Sequence, residues 1–383
     1  MKHQLKQQIG RALLVAFILG NILLILTEKT FFYKALVYNF ANIDDNTIFE
    51  QRLIKKSSQP QPWPHAPAYN HTSLSKKLKA YHEQHKSIAF IVLKNDSLLH
   101  EEYWSGYGEN SFSNSFSMGK SVTSMLVGIA IKEGKIKSVE QSIGDYLEEF
   151  NQGKFKKIKI KHLLTMSSGL NWDESYQNPL SMTTEAYYGS DLWRLMLRQR
   201  VIATPGKAFT YLSGDTQLLS FVLQKATGKK IADYAQEKLW QPMGAVNDAS
   251  WSLDNKNGNE KAFCCLYSNV KDFARIGSLY LHQGNWKGKQ LVDSSYVNAS
   301  IAPANLIDSE TGKPNDFYGY QWWIIPNYKG MKVFYARGIL GQMVIVIPSK
   351  NIVIARLGNQ KPEKVGDHYK PVFDFIDAVL SSI

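Results

Sequence analysis

Apolar residues run almost unbroken near the start of this chain. They form short unbroken runs of strand length at both ends of its main body and recur at helical spacing in between. The first stretch, Ala12 to Leu26, is interrupted only by Gly20 and Asn21, and Lys2, Lys6 and Arg11 precede it. Counted from Ile9 to Thr27, it approaches the ~20 residues that cross a bilayer. A basic flank and an apolar run with no A-x-A-like cleavage site predict an uncleaved signal-anchor over residues 1–29. The flank would stay cytoplasmic, making this a single-pass inner-membrane protein with the remainder on the periplasmic side. A buried N-terminal helix is the competing reading. Residues 30–68 read as a juxtamembrane segment. It ends in the stretch Ser57 to Ala68, where Pro60, Pro62, Pro64 and Pro67 predict an extended linker or a surface strap.

The main body, expected over 69–383, opens with helical spacing at Leu74–His85. A buried strand follows at Ile88–Leu93, then a turn at Asn95-Asp96 and a return strand at Leu98–Tyr103. Helical spacing resumes after Ser117 with Val122, Met125, Leu126, Ile129 and Ala130. It continues over Ser138–Phe150, Lys161–Thr165, Asp191–Arg198, Asp215–Thr227 and Ile231–Leu239. Lys157 to Lys161 alternates basic and apolar residues and reads as a strand with one solvated face. Strands return at Tyr318–Ile325, Val333–Ala336, Gln342–Pro348 and Ile352–Leu357, and an amphipathic helix closes the chain at Pro371–Leu380. Strands at both ends with helices between them predict an α+β fold: an antiparallel sheet flanked by helices, plus an all-helical lobe.

Composition narrows the function classes. The chain has 383 residues and a formal net charge of +12. No nucleic-acid motif or aromatic-interleaved basic repeat accompanies that charge, and the lysines are spread along the chain; the excess is compatible with an anionic membrane surface or cell-wall polymer, and the sequence does not decide it. The two cysteines, Cys264 and Cys265, are adjacent. They exclude a disulfide framework and read as two small packed side chains in a strand, with a vicinal disulfide as the alternative. No spacing of ligand residues suggests a metal, and no cofactor motif is present.

Candidate chemistry begins at Ser117-Met118-Gly119-Lys120, an S-x-x-K tetrad where a polar segment gives way to a helix. In the first turn of that helix Ser117 and Lys120 are neighbours on one face. A lysine of lowered pKa can take the serine proton, and the helix N-terminus offers N–H groups to an oxyanion. The bland reading is a helix cap with a solvated lysine. Tyr211 lies on a loop before a helix, as a proton shuttle or as a packed aromatic. Gly338 and Gly341 flank Ile339 at the mouth of a strand, where a backbone N–H could approach a ligand or a bulge could form. Tyr187-Tyr188 and Tyr320 to Trp323 could wall a cleft or simply pack.

Taken together, these segments resemble the serine β-lactamase and penicillin-binding-protein superfamily. The resemblance is to its class C-like branch of β-lactamase-related esterases and 6-aminohexanoate-dimer hydrolases. It rests on Ser113 to Ser124, His162 to Leu170, Pro205-Gly206 with Tyr211-Leu212-Ser213, and Ala226-Thr227-Gly228. Leu239 to Gly244, Cys264-Cys265, Asp272 to Gly277 and Tyr318 to Trp323 continue it. The resemblance implies Ser117 as an acylated nucleophile, Lys120 as its activator and Tyr211 as the proton shuttle, with Ser213 as the second polar residue of the tyrosine motif. It implies oxyanion donors at Ser117 and Ile339, and a cleft tyrosine at Tyr188. Where β-lactamases and transpeptidases carry K-T-G, this chain reads Arg337-Gly338-Ile339, which counts against efficient β-lactam hydrolysis. The expectation is an ester or amide hydrolase acting on a small molecule, without metal, organic cofactor or obligate protein partner. A D-amino acid peptidase and a non-turnover penicillin-binding sensor are the alternatives.

Overall fold

The computed structural model describes residues 2–71 and 76–382. The elements that position the site are, in chain order, α1 (Lys2–Leu26), α2 (Phe31–Tyr38), β1 (Gln51–Ile54), α3 (Lys76–Gln84), β2 (Ser87–Lys94), β3 (Ser97–Tyr103), β4 (Ser113–Asn114) and α4 (Met118–Lys132). There follow α5 (Ile160–Leu164), α6 (Met182–Tyr188), α7 (Leu192–Leu197), α8 (Ser213–Thr227), β5 (Ala249–Ser252), β6 (Leu266–Ser268) and α9 (Val270–Leu281). The chain closes with β7 (Trp323–Tyr328), β8 (Met331–Gly338), β9 (Gln342–Ile347), β10 (Ile352–Gly358) and α10 (Lys370–Leu380).

Six antiparallel strands form the main sheet in the order β7-β8-β9-β10-β2-β3, so its two ends in sequence meet where β10 pairs with β2. Both faces are covered, and the strands divide their side chains by the two-residue period. Val344, Val346, Val353 and Ala355 join the core that holds α4 and α9. Met343, Ile345, Ile352 and Ile354 join a second core under α10. Helix α9 packs so closely that a Cβ on Gly277 would meet Val344 Cγ1 at 2.7 Å. Helix α4 is buried on every side from Met118 to Ala130, as befits a helix between sheet and helical lobe.

A four-stranded sheet, β1-β5-β6-β4, runs beside the main one. The segment after α2 therefore belongs to the fold. β1 pairs with β5, and Ile43, Ile54 and Trp63 are buried in the larger core. The proline-bearing stretch is a strap, tied down by bonds such as Trp63 Nε1 to Lys271 O at 3.0 Å. Helix α1 has no buried residue, unlike the buried helix weighed from sequence, and it is long and apolar enough to cross a membrane. A signal sequence shares those features.

Several expected elements differ. The helix from Leu74 is described only from Lys76, because residues 74 and 75 lie outside the described residues. Ser138–Phe150 contains two single 3₁₀ turns, not one helix. Lys157–Lys161 is no strand: a 3₁₀ turn ends at Lys157 and α5 begins at Ile160, because hydrogen bonds of Ile160 and Lys161 to Gln141 and Val139 dock the segment sideways. β7 starts only at Trp323, since Gln321 takes a φ of 64° that breaks the strand. Cys264 and Cys265 are not two packed thiols in a strand. They are joined as a disulfide in the turn before β6.

Candidate active site

Strand β4 ends in a sharp turn that delivers Ser117. Asn114 Oδ1 accepts hydrogen bonds from the N–H groups of Phe116 at 2.9 Å and Cys265 at 3.1 Å. Phe116 takes a left-handed φ of 44°, and Ser117 returns to φ −63° as the cap of α4. The serine is half-buried at the N-terminus of a 15-residue helix. One turn on, Lys120 is 1% exposed. Its Nζ donates to Ser117 Oγ at 3.0 Å and to Phe263 O at 2.8 Å, and stands 5.2 Å from the centre of the Tyr211 ring. Burial pulls its pKa down to about 8, against a smaller upward pull from the Glu174 carboxylate.

Tyr211 hydrogen-bonds Ser117 through its hydroxyl. Burial raises that hydroxyl's pKa well above the ordinary value, and the bond to Ser117 offsets part of the rise. The segment 162–170 explains why this loop stays in place. Thr210 N–H donates to Met166 O at 2.8 Å, Gly206 N–H donates to Ser167 O at 2.7 Å, and Ser168 Oγ donates to the buried Asp215 at the start of α8.

On the third side, β8 ends against the serine turn. A Cβ on Gly338 would stand 2.2 Å from Ser115 O and 2.9 Å from Phe116 Cβ, so this approach requires glycine. Ile339 follows directly on the glycine that touches this turn. Arg337, whose direction the sequence left open, stacks its guanidinium 3.2 Å from the centre of the Trp323 ring and 4.6 Å from that of Tyr369, and donates to Asp367 O at 2.6 Å.

The structure thus brings together Ser117, Lys120 and Tyr211, with Ile339 one residue beyond the glycine packed on the serine turn. Ser213 lies beside them, but its side chain is buried and committed to Glu174. Tyr188 is not part of this group. It is 4% exposed, faces Tyr38 at 6.3 Å and Tyr187 at 4.9 Å between ring centres, and belongs to the seat of α2. Of the two readings open for the Tyr187-Tyr188 pair, the structure shows packing: both side chains are buried. The cleft instead receives Glu174 and Tyr176 from the irregular stretch before α6, where Tyr176 donates to Glu174 Oε1 at 2.6 Å. No motif marked either residue. The only signal was polar and aromatic residues in a long segment without periodicity. Chemically, the arrangement offers an alcohol at a helix N-terminus that both an amine of lowered pKa and a phenol reach.

A family model described as Beta-lactamase matches residues 74–376. Among curated proteins, the 6-aminohexanoate-dimer hydrolase of Paenarthrobacter ureafaciens is 25% identical over 287 residues, covering 71% of this chain and 72% of that protein. A Bacillus anthracis protein described as a candidate 6-aminohexanoate-dimer hydrolase superposes with a TM-score of 0.76 at 22% identity, over 89% of this chain and 92% of that one. A family VIII carboxylesterase superposes with a TM-score of 0.65 at 16% identity, over 84% and 99%.

Proposed function

The chain belongs to the Beta-lactamase family and is a serine hydrolase of ester or amide type, and we propose that Ser117 is its nucleophile, Lys120 its base and Tyr211 its proton shuttle. One observation carries the assignment: the Lys120 ammonium is buried and held by an alcohol and a carbonyl, 3.0 Å and 2.8 Å away, and no carboxylate among the described residues pairs with it. Such a lysine deprotonates readily. Neutral Lys120 takes the Ser117 proton, directly or through Tyr211, as Oγ attacks the substrate carbonyl. The N–H groups of Ser117 and Ile339 take the oxyanion, aided by the α4 dipole. Tyr211 passes a proton to the leaving alkoxide or amine, and water then releases the acid from the serine ester.

The substrate is a small ester or short amide without a carboxylate near the scissile bond. Arg337 is spent between Trp323 and Tyr369, and Glu174 adds negative charge to the wall. Both features disfavour β-lactams and cell-wall peptides ending in D-amino acids, which argues against the peptidase and sensor readings. Helix α1 is the membrane anchor, with the hydrolase domain on the extracytoplasmic side. The test is intact mass after treatment with a fluorophosphonate, with p-nitrophenyl ester turnover in parallel. A single adduct lost in Ser117→Ala, with steady turnover, is expected. A stoichiometric burst without turnover would establish a sensor instead, and no adduct would overturn the assignment.

A further inference from the structure

Helix α2 is apolar and aromatic apart from Lys34, yet only Phe31 and Ala35 of it are buried. Tyr38 stacks on Tyr188 of α6. On the other side Leu36 is 62% exposed and Val37 76%, and Phe40 just beyond the helix is 69% exposed. Three large apolar side chains bared within five residues need a cover.

Where this patch lies identifies the cover. Four residues, 27–30, separate α2 from the end of α1, a reach of at most about 14 Å. The chain also turns back on itself, for the Tyr33 hydroxyl hydrogen-bonds the Asn21 side chain of α1. Asn21 stands five residues before the end of α1, about 7 Å along its axis. Tyr33 is therefore level with the last turns of α1, the depth at which tyrosines gather in membrane interfaces. Lys29 and the exposed Lys34 flank the patch and suit anionic headgroups. Glu28 pairs with Arg194 of α7, which ties the end of α1 to the domain.

We propose that α2 is an interfacial helix, lying in the outer headgroup layer of the bilayer with Leu36, Val37 and Phe40 against lipid; this rests on the reading of α1 as a spanning anchor. The domain is then seated on the membrane, not tethered above it. Helix α6, on which α2 packs, directly follows the segment bearing Glu174 and Tyr176, so the leaflet lies one helix away from the cleft wall.

The test uses the full chain in nanodiscs of phosphatidylcholine and phosphatidylglycerol, labelled with a thiol-reactive NBD fluorophore. The native cysteines are paired and buried. Labels go on Val37→Cys, on Leu19→Cys within α1, and on Val365→Cys, an exposed valine distant in sequence. Quenching of Leu19→Cys by deep doxyl lipids and of Val37→Cys by shallow ones, with Val365→Cys unquenched, is the expected result. Quenching at Leu19→Cys with Val37→Cys in water overturns the interfacial helix and leaves the anchor standing. If Val37→Cys is instead shielded without quenching and the particle holds two chains, a second copy covers the patch and the proposal also fails. No quenching at Leu19→Cys overturns the anchor and the proposal together.

Discussion

Glu174 accepts two hydrogen bonds from Ser213, one from the backbone N–H and one from Oγ, each at 2.7 Å. It thereby pins the first turn of α8 to the cleft wall, two residues from Tyr211. The same carboxylate draws the Lys120 pKa upward, against the larger effect of burial. One residue thus links the placement of the shuttle to the readiness of the base.

Glu174→Gln keeps the shape and removes the charge. Without that charge the ammonium form of Lys120 loses support, so its pKa falls and the neutral base persists to lower pH. The acid limb of the kcat/KM profile is expected to move to lower pH in this variant. A profile that loses height without moving would leave Glu174 a purely structural residue.

In the unaltered enzyme, a base with a pKa of about 8 sets the acid limb itself. Activity toward a neutral ester is expected to rise about tenfold per pH unit below that value and to level above it. Lys120→Met removes the base while filling the space, and a loss of roughly 10²–10⁴-fold in kcat is expected. The change also leaves Phe263 O without its donor, which costs about 1–3 kcal/mol of stability. Measuring kcat beside urea unfolding separates the two losses.

Gly338→Ala tests the contact between β8 and the serine turn. The added methyl would meet Ser115 O at 2.2 Å, so backbone must move there. The expected outcome is a folded protein with lowered kcat, because the shift parts Ile339 from Ser117 while the sheet register behind it is untouched. Undiminished turnover would remove Ile339 from the oxyanion site.

How far the sequence reaches can be judged from these residues. Ser117 and Lys120 were legible because their spacing and the helix that follows are local. Most strands of the main sheet were legible because both faces are covered, so each reads as an unbroken apolar run of strand length. Gly338 was visible as a glycine at a strand end, but its reason, a carbonyl from residue 115, is a tertiary contact. Glu174 was invisible, since its stretch has no period and its partner Ser213 is 39 residues away. Tyr188 misled because a buried aromatic and a cleft aromatic look alike in sequence. The packing that distinguishes them comes from α2, a segment read only as juxtamembrane.

Lys261 gives a prediction about stability rather than catalysis. It is fully buried, donates to Tyr187 O at 2.7 Å and stands 4.5 Å from the centre of the Phe49 ring. Burial lowers its pKa to about 7 from 10.5, with a smaller upward pull from Asp254. Between those two values the unfolded chain holds a proton that the folded chain has released. Raising the pH through this window therefore favours the folded state, by up to about 1.4 kcal/mol per pH unit for this one group. Below the window both states are protonated and the contribution is flat. Lys120 acts in the same direction from about 8 upward, so the slope of the native protein alone does not isolate Lys261. The difference between native protein and Lys261→Met does, because Lys120 is common to both. Urea midpoints measured across the window should rise less steeply in the variant, whatever the offset caused by leaving Tyr187 O without its donor. Parallel slopes would mean that Lys261 stays charged in the fold and that the two backbone carbonyls it touches, Tyr187 O and Ala186 O, stabilise the ammonium more than burial opposes it.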